Sequence, residues 1–228
     1  ERCPGVGSNI KLADIVCLQE ISEETLNTLQ NLTHYRLASA GYHYFPGGTK
    51  YGNAIVYKEE KVSLKEASEI TYENPPAIRS AASGVFEANK KVIKVMSVHL
   101  SGYFPGESDL EKKQMAKKRG FDELQNFKLQ VEETVFEGLD GIVIAGDFNE
   151  SKDEEKAELY RPGFLMEAGY KCDGCFEVTE PLKNRKIDWL FYKSLTRDEP
   201  TLTSMGVERL QMPASDHLMS GTIIEWKA

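Results

Sequence analysis

The stretch Gly141-Ile142-Val143-Ile144-Ala145 carries no polar side chain, and it runs straight into Gly146-Asp147-Phe148-Asn149. A strand with one face in water alternates polar and apolar residues, so an unbroken apolar run of this length must be covered on both faces. Residues 14–20 (DIVCLQE) and 187–192 (IDWLFY) have the same character, each with a polar tip. Residues 52–58, 81–87, 91–100 and 218–226 read as further strands, and Asn89-Lys90-Lys91 as a hairpin turn. Ser22 is placed to cap a short helix through about Leu32, with Glu23 and Glu24 in its first turn. After a loop over 102–109, Phe121, Leu124, Phe127, Val131 and Val135 recur three or four apart, one face of an amphipathic helix interrupted near Gly120. Doubly apolar strands separated by helices predict sheets that pack on each other and are covered outside by helices.

The chain of 228 residues suits one well-buried domain spanning 1–228. No apolar run approaches the roughly 20 residues that span a bilayer, and residues 1–5 lack the pattern of a secretory signal. The compartment stays open, with a cytoplasmic or nuclear one favoured, and a monomer is expected. The net charge of −8 provides no basic tail for gripping nucleic acid non-specifically. Cys17 reads as a buried free thiol. The pair Cys172/Cys175 is open between free thiols, a disulfide and a metal site.

Chemistry-bearing residues gather at the ends of the apolar strands. Glu20 ends the first strand, His99 nearly ends that of 91–100, Asp147 and Asn149 follow 141–145, Asp188 opens the next, and Asp216-His217 precedes the last. Strand ends meet at one edge of a sheet, where sites are built. Each residue also has a plainer reading: a turn at Gly146-Asp147, an edge guard at Asp188, a core histidine at His99, a helix-starting charge at Glu20. Together they form an oxygen-rich cluster that suits Mg²⁺ or Mn²⁺ better than zinc.

Leu18-Gln19-Glu20, Ser97-Val98-His99-Leu100, Gly146-Asp147-Phe148-Asn149, Ile187-Asp188-Trp189 and Ser215-Asp216-His217 stand in the order seen in the endonuclease/exonuclease/phosphatase superfamily, which the chain resembles over nearly its whole length. The resemblance implies a four-layer α/β sandwich of two packed mixed β-sheets flanked by helices. It also implies a metal-dependent phosphoric ester hydrolase. Glu20 and Asp216 would serve the metal, Asp147 and Asn149 would handle water or substrate, Asp188 would align His217, and His99 would stabilise phosphoryl charge. Family members open with a strand carrying a metal-binding asparagine. Nineteen residues precede Glu20 here and residues 1–11 show no apolar strand, so the chain is read as lacking that first strand.

Asn53 and Arg79 lie on strands that resemble the substrate side of the phosphodiesterase branches. Arg79 could reach a phosphate or cap a sheet edge. Tyr103, with Phe104, could stack on a base or pack its loop. Lys183, Arg185 and Lys186 could steer a polyanion or sit in a solvated loop. The expected substrate is nucleic acid or a nucleotide. The alternatives are a phospholipid or inositol phosphate, or a catalytically silent domain that binds phosphate.

Overall fold

The computed structural model describes residues 13–44, 50–74, 77–102, 109–133, 136–151, 159–172, 179, 185–208 and 219–226. Strand β1 (Ile15–Ile21) leads into helix α1 (Glu23–Leu32), whose N-cap Ser22 accepts a 3.1 Å hydrogen bond from the Thr25 amide, with Glu23 and Glu24 in the first turn as expected. Strands β2 (Tyr35–Tyr44) and β3 (Lys50–Lys58) complete a three-stranded sheet in the order β1-β3-β2. Then come β4 (Ser63–Asn74), β5 (Ala77–Ala88), β6 (Lys91–His99), α2 (Leu110–Glu133), β7 (Gly141–Asp147), α3 (Arg161–Glu167), β8 (Lys171–Cys172) and β9 (Asp188–Ser194). Their strands form a six-stranded sheet in the order β4-β5-β6-β7-β9-β8. Strands β10 (Thr201–Glu208) and β11 (Met219–Glu225) make a separate antiparallel ribbon.

The β5–β6 hairpin turns at Asn89 and Lys90, both left-handed with φ of 51° and 65°, the geometry of a two-residue primed turn. Strands β6 and β7 pair in parallel, so the chain must cross over between them, and α2 is that crossover. The apolar run in β7 is explained by its two faces. Ile142 and Ile144 meet Leu124, Phe127 and Val131 of α2, while Val143 and Ala145 meet Ile55, Ala82 and Phe86 between the sheets. A third cluster joins Leu26 and Leu29 of α1 to Val16, Ala54 and Val56 of the small sheet. Each fully buried apolar side chain of this kind contributes about 1.5–3 kcal/mol. The layers are therefore α1, the small sheet, the large sheet, and α2 with α3.

Two expectations need correcting. Only the large sheet is mixed; every pairing in the small sheet is antiparallel among the described residues. Helix α2 is not interrupted at Gly120 but runs through it. A Cβ at position 120 would lie 2.5 Å from the Ser101 carbonyl oxygen and 2.7 Å from the Arg161 guanidinium carbon, so the glycine marks a close approach rather than a break. Strands β2, β4, β8 and β10 and helix α3 were not anticipated from periodicity. Cys17 is a free cysteine whose thiol is pushed up to about 12 by burial, against a hydrogen bond from Ser97. Cys172 is disulfide-bonded, to a partner outside the described residues. No helix among the described residues is long and apolar enough to cross a membrane.

Candidate active site

Register places three of the expected residues side by side. His99 on β6 is paired with Asp147 on β7, and Asp147 with Asp188 on β9, so the three form a row across neighbouring strands of the large sheet. His99 Nε2 lies 3.6 Å from Asp147 Oδ2, and both side chains are largely buried. Gly146, with φ of 140°, lets β7 end in this arrangement, because any side chain there would overlap the Val98 carbonyl oxygen.

Asn149 then turns back over the row. Its φ of 51° is left-handed, a conformation asparagine tolerates better than most residues, and its amide donates to Asp147 Oδ1 at 2.7 Å. Its side-chain Nδ2 donates to the Leu100 carbonyl at 2.9 Å and stands 3.0 Å from His99 Nε2. The carbonyl can only accept, which fixes the orientation of the Asn149 amide. Nε2 of His99 therefore faces a donor, a contact that a neutral ring accepts in the tautomer with its proton on Nδ1. On the Nδ1 side, Glu20 Oε1 is 3.8 Å away. Glu20 has φ of 51° at an irregularity between Leu18 and Ile21, and its carboxylate remains exposed at the rim. A left-handed, non-glycine residue costs roughly 1–3 kcal/mol, and such strain collects at functional sites. Beneath β1, Gln19 Nε2 donates to Ser97 Oγ at 2.9 Å and ties this strand end to β6.

Arg79 reaches the site from β5. Nε donates to Ser101 Oγ at 3.2 Å and lies 3.7 Å from Glu123 Oε1, while Nη1 is 3.3 Å from His43 Nε2. Burial lowers the Arg79 pKa; Glu123 opposes this most strongly, and Glu20 and Asp147 oppose it further, so the guanidinium senses both site carboxylates. Glu123 is fully buried in α2, where both its oxygens are used by Ser101, from the backbone amide and from the hydroxyl, each at 2.7 Å. Burial raises the Glu123 pKa against the pull of Arg79 and Ser101. His43 is held down to about 4, by burial first and by the Arg79 charge second, which makes it neutral near pH 7.

The structure parts company with two other readings. Asn53 does not face the site surface: it is fully buried, and its Nδ2 donates to the Ser80 carbonyl at 2.6 Å, linking β3 of one sheet to β5 of the other. Lys186 is no solvated charge, since it is 8% exposed with its ammonium 4.9 Å above the Trp189 ring. Asp188 owes its position to Thr179, whose hydroxyl oxygen accepts from the Ile187 and Asp188 amides, each at 3.1 Å. Tyr103, Phe104, Lys183, Asp216 and His217 lie outside the described residues.

Sequence reasoning passed over His43, Ser101, Glu123, Glu150 and Arg161. For Glu123 a signal existed. Gly120, Glu123, Leu124, Phe127 and Val131 form one buried face, so a carboxylate stood on an apolar stripe and needed partners. As for metal, Glu20, Asp147, Asn149 and Asp188 present oxygen donors that fit a hard divalent cation. Among the described residues, no group of three or more His, Cys, Asp or Glu is arranged to hold an ion.

A family model described as the Endonuclease/Exonuclease/phosphatase family matches residues 5–111. A search of curated proteins finds no match in sequence. An endonuclease/exonuclease/phosphatase from Bacteroides vulgatus superposes with a TM-score of 0.70 at 17% identity, over 98% of this chain and 90% of that one. The chain carries the endonuclease/exonuclease/phosphatase fold. A mannosyl-6-phosphatase from Bacteroides thetaiotaomicron matches this fold with a TM-score of 0.69 at 15% identity, over 98% of this chain and 90% of its own. A humanized TDP2 of D. rerio matches equally, at 0.69 and 17% identity, over 100% of this chain and 91% of its own. The endonuclease/exonuclease/phosphatase resemblance thus joins sequence, over residues 5–111, and architecture.

Proposed function

We propose that this chain is a divalent-metal-dependent phosphodiesterase that hydrolyses its ester by in-line attack of water, acting on nucleic acid ends or a nucleotide. The observation that carries the reading is the row His99, Asp147, Asp188, with Asn149 held 3.0 Å from His99 Nε2. Hydrolysis of a phosphate ester needs a positioned water and an environment that neutralises growing negative charge. Asp147 is placed to orient or deprotonate the water, Asn149 to fix water or substrate, and His99 to stabilise charge on the phosphoryl oxygens. Asp188 would align His217, and Arg79 and Tyr103 would contact substrate.

Glu20, with Asp216, would hold Mg²⁺ or Mn²⁺. The bound cation would supply Lewis-acid neutralisation of the phosphoryl oxygens. The other residues act on their own account: Asn149 keeps the His99 ring in one tautomer, and the buried Arg79 adds a fixed positive charge close to the two carboxylates.

A structure of D. rerio TDP2 with a single-strand DNA product shares the fold, with a TM-score of 0.68 at 18% identity, which supports a nucleic acid end as substrate. The mannosyl-6-phosphatase supports a second reading, a small phosphorylated sugar or inositol phosphate. The test is turnover with Mg²⁺ or Mn²⁺ on single-stranded DNA, RNA, a 5′-tyrosyl oligonucleotide, a sugar phosphate, an inositol phosphate and a phospholipid. EDTA-sensitive hydrolysis of an oligonucleotide is expected. Turnover of only the small phosphates or lipids moves the assignment to that class. No turnover on any, with phosphate binding retained, identifies a silent binding domain.

A further inference from the structure

Behind the two site loops lies a buried ion pair that no step of the proposed reaction uses. Glu150 immediately follows Asn149, and Arg161 opens α3; both are 1% exposed. The Arg161 amide donates to Glu150 Oε2 at 2.8 Å, and its Nε lies 3.6 Å from the same oxygen. One arm of the guanidinium, Nη1, donates to the Phe148 carbonyl, inside the Asp147–Asn149 turn; the other, Nη2, reaches the Lys117 carbonyl of α2 at 3.4 Å. Lys117 Nζ closes on Glu150 Oε1 at 3.6 Å, and the Trp189 indole donates to the Glu150 carbonyl at 3.0 Å. The second loop is held from the same helix, by Glu123 on Ser101, two residues after His99. Gly120 lies between these two attachments, where an added Cβ would meet the Ser101 carbonyl oxygen at 2.5 Å and the Arg161 guanidinium carbon at 2.7 Å.

We propose that Arg161, paired with Glu150 and packed over Gly120, is a positioning residue that sets the His99–Asn149 separation by holding the Asp147–Asn149 turn to α2. The inference rests on the reading of that row as the catalytic site. A buried ion pair is an expensive way to gain stability, since desolvation offsets its attraction. Here its geometry restrains the backbone carbonyl between two site residues. Lysine cannot replace it, because a single ammonium lacks the planar fork that bonds two carbonyls at once.

The test compares Arg161→Lys and Gly120→Ala with the wild-type chain. Alanine alone favours a helix interior over glycine, but at 120 its methyl presses on Ser101 and Arg161 together. Both variants are expected to stay folded and to lose at least about tenfold in kcat with KM within about twofold. Amide exchange should accelerate at Leu100, Phe148 and Asn149, whose amides bond Asp147 O, Ile187 O and Asp147 Oδ1. Wild-type kcat and exchange in Arg161→Lys overturns the proposal. So does a loss that merely follows global unfolding in both variants. If Arg161→Lys does not fold, Gly120→Ala decides on the same two readouts. A wild-type chain with no turnover refutes the assigned function, while local exchange still tests the restraint.

Discussion

Acidification should destabilise this protein through one histidine. His43 is 4% exposed, sits 3.3 Å from an Arg79 nitrogen and is held down to about 4. In the unfolded chain it returns to about 6.5. Between these values the unfolded state binds more protons than the folded one, so stability is full above about pH 6.5 and falls as pH drops toward 4. The linkage relation gives a loss of about 2 kcal/mol between pH 7.5 and pH 5, reduced toward about 1 kcal/mol by solvent screening. Glu123, whose pKa is raised by burial, works in the opposite direction: its protonation favours the folded state as pH falls. The two contributions separate by difference. Urea unfolding of the wild-type chain and of His43→Gln, measured at half-unit steps from pH 7.5 to 4.5, should give a wild-type-minus-variant difference that falls by about 1–2 kcal/mol toward acid. Parallel curves, with a constant gap at every pH, would refute the account of a neutral His43 held under the Arg79 charge.

Other outcomes follow from the site. Asp147→Asn keeps the shape of the row but removes its central charge, and turnover should fall at least about a hundredfold with an unchanged near-ultraviolet spectrum. His217→Ala should do the same, and near-normal kcat in either variant would remove that residue from the chemistry. Gly146→Ala should cost about 3 kcal/mol or more in a denaturant titration, because φ of 140° and the Val98 carbonyl both exclude a side chain.

What the chain made legible was local or periodic. The apolar run in β7 needed only its own residues to demand cover on both faces, and the structure fills those faces from α2 and from the small sheet. Ser22 capped its helix because the hydroxyl bonds an amide three residues away. Glu20, His99, Asp147 and Asp188 could be placed at strand ends because polar residues that stop an apolar run must emerge at an edge.

Neighbourhood was a different matter. Strands β2 and β4 carry mixed polar and apolar residues because their cover comes from distant segments, and no window of sequence contains that cover. Asn53 looked like a substrate contact until the second sheet arrived to bury it against Ser80. The uninterrupted helix through Gly120, the Glu123 bonds to Ser101 and the Arg161 bond to Phe148 all span 13 residues or more, or depend on how closely two backbones approach. The sequence by itself therefore determined which polar residues end its apolar strands and what chemistry they carry. Only the tertiary structure decided that parallel β6–β7 and antiparallel β7–β9 registers align His99, Asp147 and Asp188 in one row, because register is a property of pairs of strands, set by the packing of both faces at once.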